Sequence, residues 1–354
     1  MAAQALLEQT IARIKPLSPS WRAKAWRRWD ALAKPRRSLG ELEEIGARVA
    51  AILRQERPQL KRKRIFVFAG DHQVTAEGVS AYPATVTALM VKNFLAGGAA
   101  INVLARQARA QIEVIDIGMA EDLGALPGLQ RYNVKRGADN IARGPAMTIS
   151  QARQAIGVGL TRAARAAQGQ VTLLGTGEMG IGNTTPAAAL FSFFLKLPAE
   201  ETVGAGSGLN ASGVRHKVAV VKRALAHNRA RCTSALGTLA ALGGLEIAGI
   251  CGLCLGAAAH SRPVVVDGFI ASAGALAALR LCPTIKDYLF FAHLSPEGGH
   301  RQFFEQEGLR PLLKLGLRLG EGTGTALAMQ IIVNAVALYN EMATFAATRI
   351  RPGA

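Results

Sequence analysis

Val171-Thr172-Leu173-Leu174-Gly175-Thr176-Gly177-Glu178-Met179-Gly180-Ile181-Gly182-Asn183-Thr184-Thr185 decides how this chain is read. It opens as a short apolar run, the pattern of a strand buried on both faces, and at Gly175 it passes into a glycine-rich loop. A helical stretch, residues 151–167, precedes it and another helix follows. Similar units stand upstream. Ile65-Phe66-Val67-Phe68-Ala69 ends in Gly70-Asp71-His72, residues 83–106 read as helical, and Ile112-Glu113-Val114-Ile115-Asp116-Ile117-Gly118 reads as the next strand. Downstream, Pro263-Val264-Val265-Val266-Asp267-Gly268 leads into a further helix, and Leu289-Phe290-Phe291-Ala292-His293 reads as the last strand. Strands alternating with helices specify an α/β fold, a mostly parallel sheet flanked by helices and Rossmann-like in plan. Ligands bind such sheets outside the carboxyl ends of the strands. Gly70-Asp71-His72, residues 175–185, Asp267-Gly268 and residues 293–300 are therefore expected to converge on one cleft.

The first sixty residues read as helices. Leu39, Leu42, Ile45, Val49 and Ile52 recur at helical spacing, with Ser38 placed to cap. The expected organisation is a small helical second domain fed by residues 1–60 and an α/β domain over 61–354, whose C-terminal helix is a candidate to rejoin the first.

Composition narrows the classes. Half of the 354 residues are hydrophobic, which excludes a disordered chain, and four unevenly spaced cysteines do not make a disulfide scaffold. Glu8, Arg13 and Lys15 interrupt the N-terminus, so a secretory core is absent there and a cytoplasmic location is expected. The uncharged stretch 322–340 has the length of a membrane span. Gly322, Thr323, Gly324, Thr325, Gln330 and Asn334 break it, and it reads as a glycine loop followed by a buried helix. The net charge is +18, with one cluster at Arg22, Lys24, Arg27, Arg28, Lys34, Arg36 and Arg37 and another at Lys61-Arg62-Lys63-Arg64. Without a helix-turn-helix, zinc-ligand spacing or aromatic-studded RNA motif, this favours anionic small molecules over nucleic acid.

Three glycine loops precede helices: 175–185, Gly204-Ala205-Gly206-Ser207-Gly208 and Gly320-Glu321-Gly322-Thr323-Gly324. Glycines let backbone N–H groups approach an anion, and a helix N-terminus adds favourable partial charge. None has the Lys-Ser/Thr ending of a phosphate loop or a clean dinucleotide fingerprint, but three together point to a phosphate-bearing substrate. Glu178 and Glu321 sit between glycines, with no neighbouring side chains to pair with. Glu321, near a helix start and beside an apolar ligand, suits a general base. Cys251-x-x-Cys254 lies in an apolar helical stretch and reads as small core residues. His216, His227, His260, His293 and His300 lack metal spacing, and no nucleophile elbow is present. His72 either lines the cleft or makes a structural hydrogen bond.

Phe68-Ala69-Gly70-Asp71-His72, Gly78-Val79-Ser80-Ala81-Tyr82-Pro83, residues 93–102, 177–185 and 295–300, Asp267-Gly268-Phe269, residues 317–324 and Asn340-Glu341-Met342-Ala343-Thr344-Phe345 together resemble one enzyme family. It is the nicotinate-nucleotide–dimethylbenzimidazole phosphoribosyltransferases of cobalamin lower-ligand synthesis, and the likeness runs from about Leu32 to Phe345. The resemblance implies transfer of the 5-phosphoribosyl group of nicotinate mononucleotide to 5,6-dimethylbenzimidazole, giving α-ribazole 5′-phosphate and nicotinate with anomeric inversion. Nicotinate leaves from a cationic pyridinium and needs no general acid, whereas the incoming benzimidazole must lose its N–H proton. One general base is then the minimum, and the resemblance assigns it to Glu321; neither a metal nor a cofactor is required. It further implies Ser80 and Tyr82 at the benzimidazole, Glu178 as a second acid, Gly180, Gly206, Ser207, Gly208 and Lys217 at the phosphate, Ser295 as another substrate contact, and a homodimer. This chain departs from the family at Gln73 and at Arg36-Arg37, where glycine and Pro-Gly are usual, and at Ala205 and Asn210. Another acceptor base, adenine or a phenol, is the nearest alternative; a non-catalytic basic module binding nucleotide or nucleic acid is the more distant one.

Overall fold

In a computed structural model that describes residues 2–350, seven strands form one all-parallel sheet. They are β1 (Lys63–Gly70), β2 (Gln111–Gly118), β3 (Leu129–Arg131), β4 (Leu173–Met179), β5 (Val264–Val266), β6 (Leu289–His293) and β7 (Pro311–Leu313). Their order is β3-β2-β1-β4-β5-β6-β7. The chain winds outward from β1 through β2 and β3, then crosses back to β4 and winds the other way. The crevice between the carboxyl ends of β1 and β4 is therefore the topological switch point, where such sheets take their ligands.

The central strands explain themselves. Ile65 through Ala69 are wholly buried because helices cover both faces of a parallel sheet. Helix Leu245–Ala259 is buried on every side and packs against helix Ile149–Gln168 backbone to backbone. A Cβ on Gly159 would lie 2.0 Å from the Gly249 carbonyl oxygen, and one on Gly252 would lie 2.0 Å from that of Ile156. Gly159→Ala is expected to force these helices apart and lower stability by about 1–3 kcal/mol, read by urea denaturation. Cys251 and Cys254 lie in this core, and burial pushes their thiols up, that of Cys254 to about 12.

Several expectations are corrected. Residues 175–179 belong to β4 rather than to a loop. The strand at 289–293 is not the last, since β7 follows it, and β3 was not anticipated; both are three-residue strands, too short for a pattern. The helical stretch 83–106 is two helices, Val86–Ala96 and Ala100–Gln107, broken at Gly97, which takes φ +81°. By length and hydropathy Val86–Gln107 would pass as a membrane span, but its halves fold separately and the first packs on the sheet. Ser38 does not cap: helix Glu41–Leu53 starts after Gly40, and the Glu43 carboxylate accepts the Leu39 N–H at 3.1 Å instead.

The N-terminal helix Ala2–Arg13 packs on Ile149–Gln168. Helices Pro19–Ala31 and Glu41–Leu53 gather instead around Trp29, whose ring meets Tyr339 edge-on at 5.2 Å, near the far end of helix Thr323–Glu341. Arg36-Arg37 lie between these two helices. Arg37 adopts φ +61°, a conformation that a glycine takes freely, and is held there by Asp30 at 2.8 Å and by the Trp26 ring at 3.9 Å.

Candidate active site

Asp267, just after β5, organises the carboxyl end of the sheet on the β4 side of the switch point. Its carboxylate accepts the N–H of Gly322 at 3.1 Å and that of Thr325 at 2.8 Å. Thr325 in turn donates to the Thr176 carbonyl at 2.8 Å, and the Thr176 hydroxyl accepts the Asp267 N–H at 2.9 Å. The start of helix Thr323–Glu341 is thereby bolted to β4 and β5. The loop leading into it holds three consecutive left-handed residues, Gly320 (φ +81°), Glu321 (φ +63°) and Gly322 (φ +93°). Two are glycines and adopt it freely. For Glu321 the conformation costs about 1–3 kcal/mol. Its side chain is 5% exposed, and Oε2 has no hydrogen-bond partner among the described residues. Burial raises its pKa and the Asp267 charge adds to this, while a hydrogen bond from the Ile101 N–H opposes them.

Glu178 lies against this loop at the end of β4. A Cβ on Gly320 would fall 2.1 Å from Glu178 Oε1. The expectation that Glu178 has no side chain to pair with is wrong, because Asn183 at the turn after β4 donates its amide to Glu178 Oε2. Burial drives the Glu178 pKa up to about 8; Asp267, Glu246 and Glu321 push the same way, against the Asn183 hydrogen bond. At neutral pH this acid therefore keeps its proton while its neighbours crowd it with negative charge.

A second cluster surrounds the 204–208 loop. Lys217, from helix Ala211–Asn228, is wholly buried beneath the loop and donates to Thr184 Oγ1 at 2.5 Å and to the Gly204 carbonyl at 3.5 Å. Burial lowers its pKa to about 8, with Glu297 working the other way. Glu297 Oε1 accepts the Gly206 N–H at 2.9 Å, and Arg318 donates to the Gly206 carbonyl at 3.4 Å. The Ser80 and Ser207 hydroxyls lie 3.2 Å apart, and the Ala81 N–H donates to Ser207 Oγ at 3.2 Å, joining the two segments. Gly180 is packed tightly enough that a Cβ would meet the Gly70 carbonyl oxygen at 2.3 Å. Asn210 caps its helix through Gly213 N–H, the task an acidic residue would perform there. Gln73 is exposed outside the cluster, and Ala205 sits in the loop's turn.

Glu178, Gly206, Gly268, His293, Ser295, Glu297, Arg318 and Gly320 line one narrow cleft of about 20 Å³. Ser295 is held by its N–H donating to His300 Nδ1 at 3.0 Å; burial, then His293, lowers the His300 pKa to about 3, so it accepts as a neutral ring. Larger concavities of about 430 Å³ lie elsewhere, one between the N-terminal helices and Tyr339 and the other between residues 57–61 and the end of helix Thr323–Glu341. The structure thus gathers Glu178, Gly206 and Ser295 in the cleft and sets Glu321 against its wall, with Lys217 beneath it. Ser80 and Ser207 meet beside it. Tyr82, 54% exposed, follows Ser80 outside it, and Gly208 is also exposed. Glu297, Arg318 and Glu246 escaped sequence reasoning. Their partners lie 91, 112 and 174 residues away in the chain, and only Glu297 stood within an expected cleft segment.

The family model described as Phosphoribosyltransferase, DBI_PRT, matches residues 14–350. The chain belongs to this family. A relative from Pelodictyon phaeoclathratiforme, named nicotinate-nucleotide–dimethylbenzimidazole phosphoribosyltransferase, is 53% identical over 344 residues, 97% of each chain. One of the same name from Geobacter sulfurreducens is 49% identical over 348 residues, 98% of this chain and 99% of that one. The crystal structure of CobT from Thermus thermophilus superposes with a TM-score of 0.90 at 46% identity, covering 95% of this chain and all of that one. The family resembled by the motifs is the family matched along the chain, and the α/β fold agrees with it.

Proposed function

We propose that this enzyme moves the 5-phosphoribosyl group of nicotinate mononucleotide to 5,6-dimethylbenzimidazole, releasing nicotinate and forming α-ribazole 5′-phosphate. The observation that carries the mechanism is Glu321: a buried carboxylate on strained backbone, with one oxygen unpartnered among the described residues, at the switch point of the sheet. In its ionised form it takes the N–H proton of the benzimidazole as the opposite ring nitrogen attacks C1 of the ribose. The C1–N bond to the pyridinium breaks, its electrons return to the ring, and nicotinate leaves without protonation. Direct displacement inverts the anomeric centre, so holding both rings on opposite faces of the sugar supplies much of the rate. Glu178, neutral at pH 7, acts as a hydrogen-bond donor at the same site.

The phosphate is assigned to Gly180, Gly206, Ser207, Gly208 and Lys217, and the acceptor ring to Ser80 and Tyr82, with Ser295 a further contact. Lys217 supports this because it is a buried cation with a hydroxyl and a carbonyl as its hydrogen-bond partners, beneath a glycine loop. Lys217→Met is expected to raise the KM for nicotinate mononucleotide about 10²-fold and to change kcat much less, measured by steady-state kinetics. The exposed Tyr82, Leu89, Val103, Leu315 and Leu319 support assembly as a homodimer. The separate cluster around Trp29 supports a small helical domain formed by helices Pro19–Ala31 and Glu41–Leu53 with the end of helix Thr323–Glu341, without the first helix. A cytoplasmic setting suits the four free cysteines, three of them buried. The deciding experiment incubates the protein with nicotinate mononucleotide and 5,6-dimethylbenzimidazole, then follows nicotinate and α-ribazole 5′-phosphate by chromatography. Release with adenine or a phenol but not with the benzimidazole would change the acceptor; no release with any acceptor would sink the reading.

A further inference from the structure

His72 and Glu246 form a buried pair that none of the steps above uses. His72 follows β1, and Glu246 lies in the first turn of helix Leu245–Ala259, 174 residues further on. His72 Nε2 and Glu246 Oε1 are 2.8 Å apart, and both side chains are at most 2% exposed. Two glycines leave room for them. A Cβ on Gly244 would lie 2.3 Å from His72 Cε1 and 2.7 Å from Glu246 Oε2, and one on Gly70 would lie 3.3 Å from that same oxygen. The other edge of the imidazole faces Gly180, whose Cβ would stand 3.4 Å from His72 Cδ2 and equally far from the Asn183 amide nitrogen. Asn183 holds Glu178. A chain of contacts therefore runs from helix Leu245–Ala259 through His72 and the Gly180 backbone to the two acids of the site.

We propose that the His72–Glu246 pair is a positioning element of the active centre. The imidazolium seats the Gly180 backbone and cancels the Glu246 charge, which bears directly on Glu178 and only through Glu178 on Glu321. The titratable groups facing the pair are Asp71 beside His72, Glu178 from β4, and Glu321 and Asp267 beyond Glu178. All are acids. Burial works against a charge on His72, but the Coulombic pull and hydrogen bond of Glu246, with Asp71, outweigh it and raise the His72 pKa. Asp71 Oδ2 accepts the Ala120 N–H at 2.8 Å, while its Oδ1 is buried without a partner among the described residues. This inference rests on Glu321 as base, because ionisation of the base sets the acid limb of the rate profile.

The test is the pH dependence of kcat/KM in the full-length enzyme and in a cycle of three variants. Wild type carries a cancelled pair. His72→Gln leaves an uncompensated carboxylate, and its acid limb is expected to move to higher pH by about one unit. Glu246→Gln leaves a neutral amide beside a neutral ring, so its limb should stay near that of wild type. In the double variant His72→Gln/Glu246→Gln the limb should return even if the rate does not. An unmoved limb in His72→Gln overturns the proposal, as does a shift that persists in the double variant, since packing alone would not follow the charge count. Should His72→Gln fail to fold, nitrogen-15 NMR of the imidazoles decides. His72 is expected to be doubly protonated at pH 7 in wild type and singly protonated in Glu246→Gln; a neutral His72 in wild type overturns the pairing. An acid limb that survives in Glu321→Gln would count against the base assignment instead, and the NMR result would stand apart from it.

Discussion

Glu321→Gln is expected to lower kcat by about 10²–10⁴-fold, the range that a positioned general base supplies, while leaving the fold intact. The substitution preserves shape and removes only the capacity to take a proton. Binding of nicotinate mononucleotide should change little, because Lys217 and the 204–208 loop form a separate cluster around Thr184, Gly204 and Gly206. The loss should therefore fall on kcat rather than on the mononucleotide KM. The wild-type rate should fall as pH drops through the raised pKa of Glu321, and that limb should vanish in the variant. Steady-state kinetics between pH 5 and 9, with thermal melts of both proteins, checks all three points. A loss below tenfold with both proteins folded would remove Glu321 from the base role.

The second large effect is on stability and comes from Glu178→Gln. Its carboxyl has an ordinary pKa of 4.5 and is driven to about 8 in the fold. At acid pH the group is protonated in both folded and unfolded chains and makes no difference. As pH rises through the ordinary value the unfolded chain releases its proton while the folded chain keeps it, so stability falls until about pH 8, where the folded group also ionises. The amide carries no such linkage and can still accept the Asn183 hydrogen bond. Glu178→Gln should accordingly match wild type near pH 4 and exceed it by an order of a few kcal/mol at pH 8. Urea denaturation at the two pH values tests this, and equal stability at pH 8 would contradict it. Because the wild-type acid is neutral at pH 7, the amide should retain more activity there than alanine. Any wild-type decline above pH 8 should be absent from Glu178→Gln.

The strands that were legible were those with enough residues to show a pattern. Ile65–Ala69 and Ile112–Gly118 could be read because continuous apolar runs leave few alternatives. The end of β4 was misread because Gly175, Thr176 and Gly177 look like a loop when considered locally. All three are strand residues, and the two glycines lack side chains because there is no room: a Cβ at Gly175 would meet Thr325 at 2.3 Å, and one at Gly177 would meet the Glu321 carbonyl oxygen at 2.6 Å. The two acids stood out because glycines isolated them in the sequence. What surrounds them did not, since Asp267's grip on the helix start and the Glu297–Gly206 bond join residues 55 to 91 positions apart. Local pattern carries little information about such pairings, which follow from strand order.

The crowding of glycines around the acids limits where this enzyme can change. At Gly175, Gly177, Gly180, Gly320 and Gly322, even one added methyl group would enter space held by backbone or a neighbouring side chain, the Glu178 carboxyl among them. Those five positions are thus closed to side chains unless the neighbours move. Latitude remains at the exposed rim, at Tyr82, where a new side chain meets solvent first. Selection for a different acceptor ring should therefore gather its substitutions at the mouth and leave the chemistry behind it untouched.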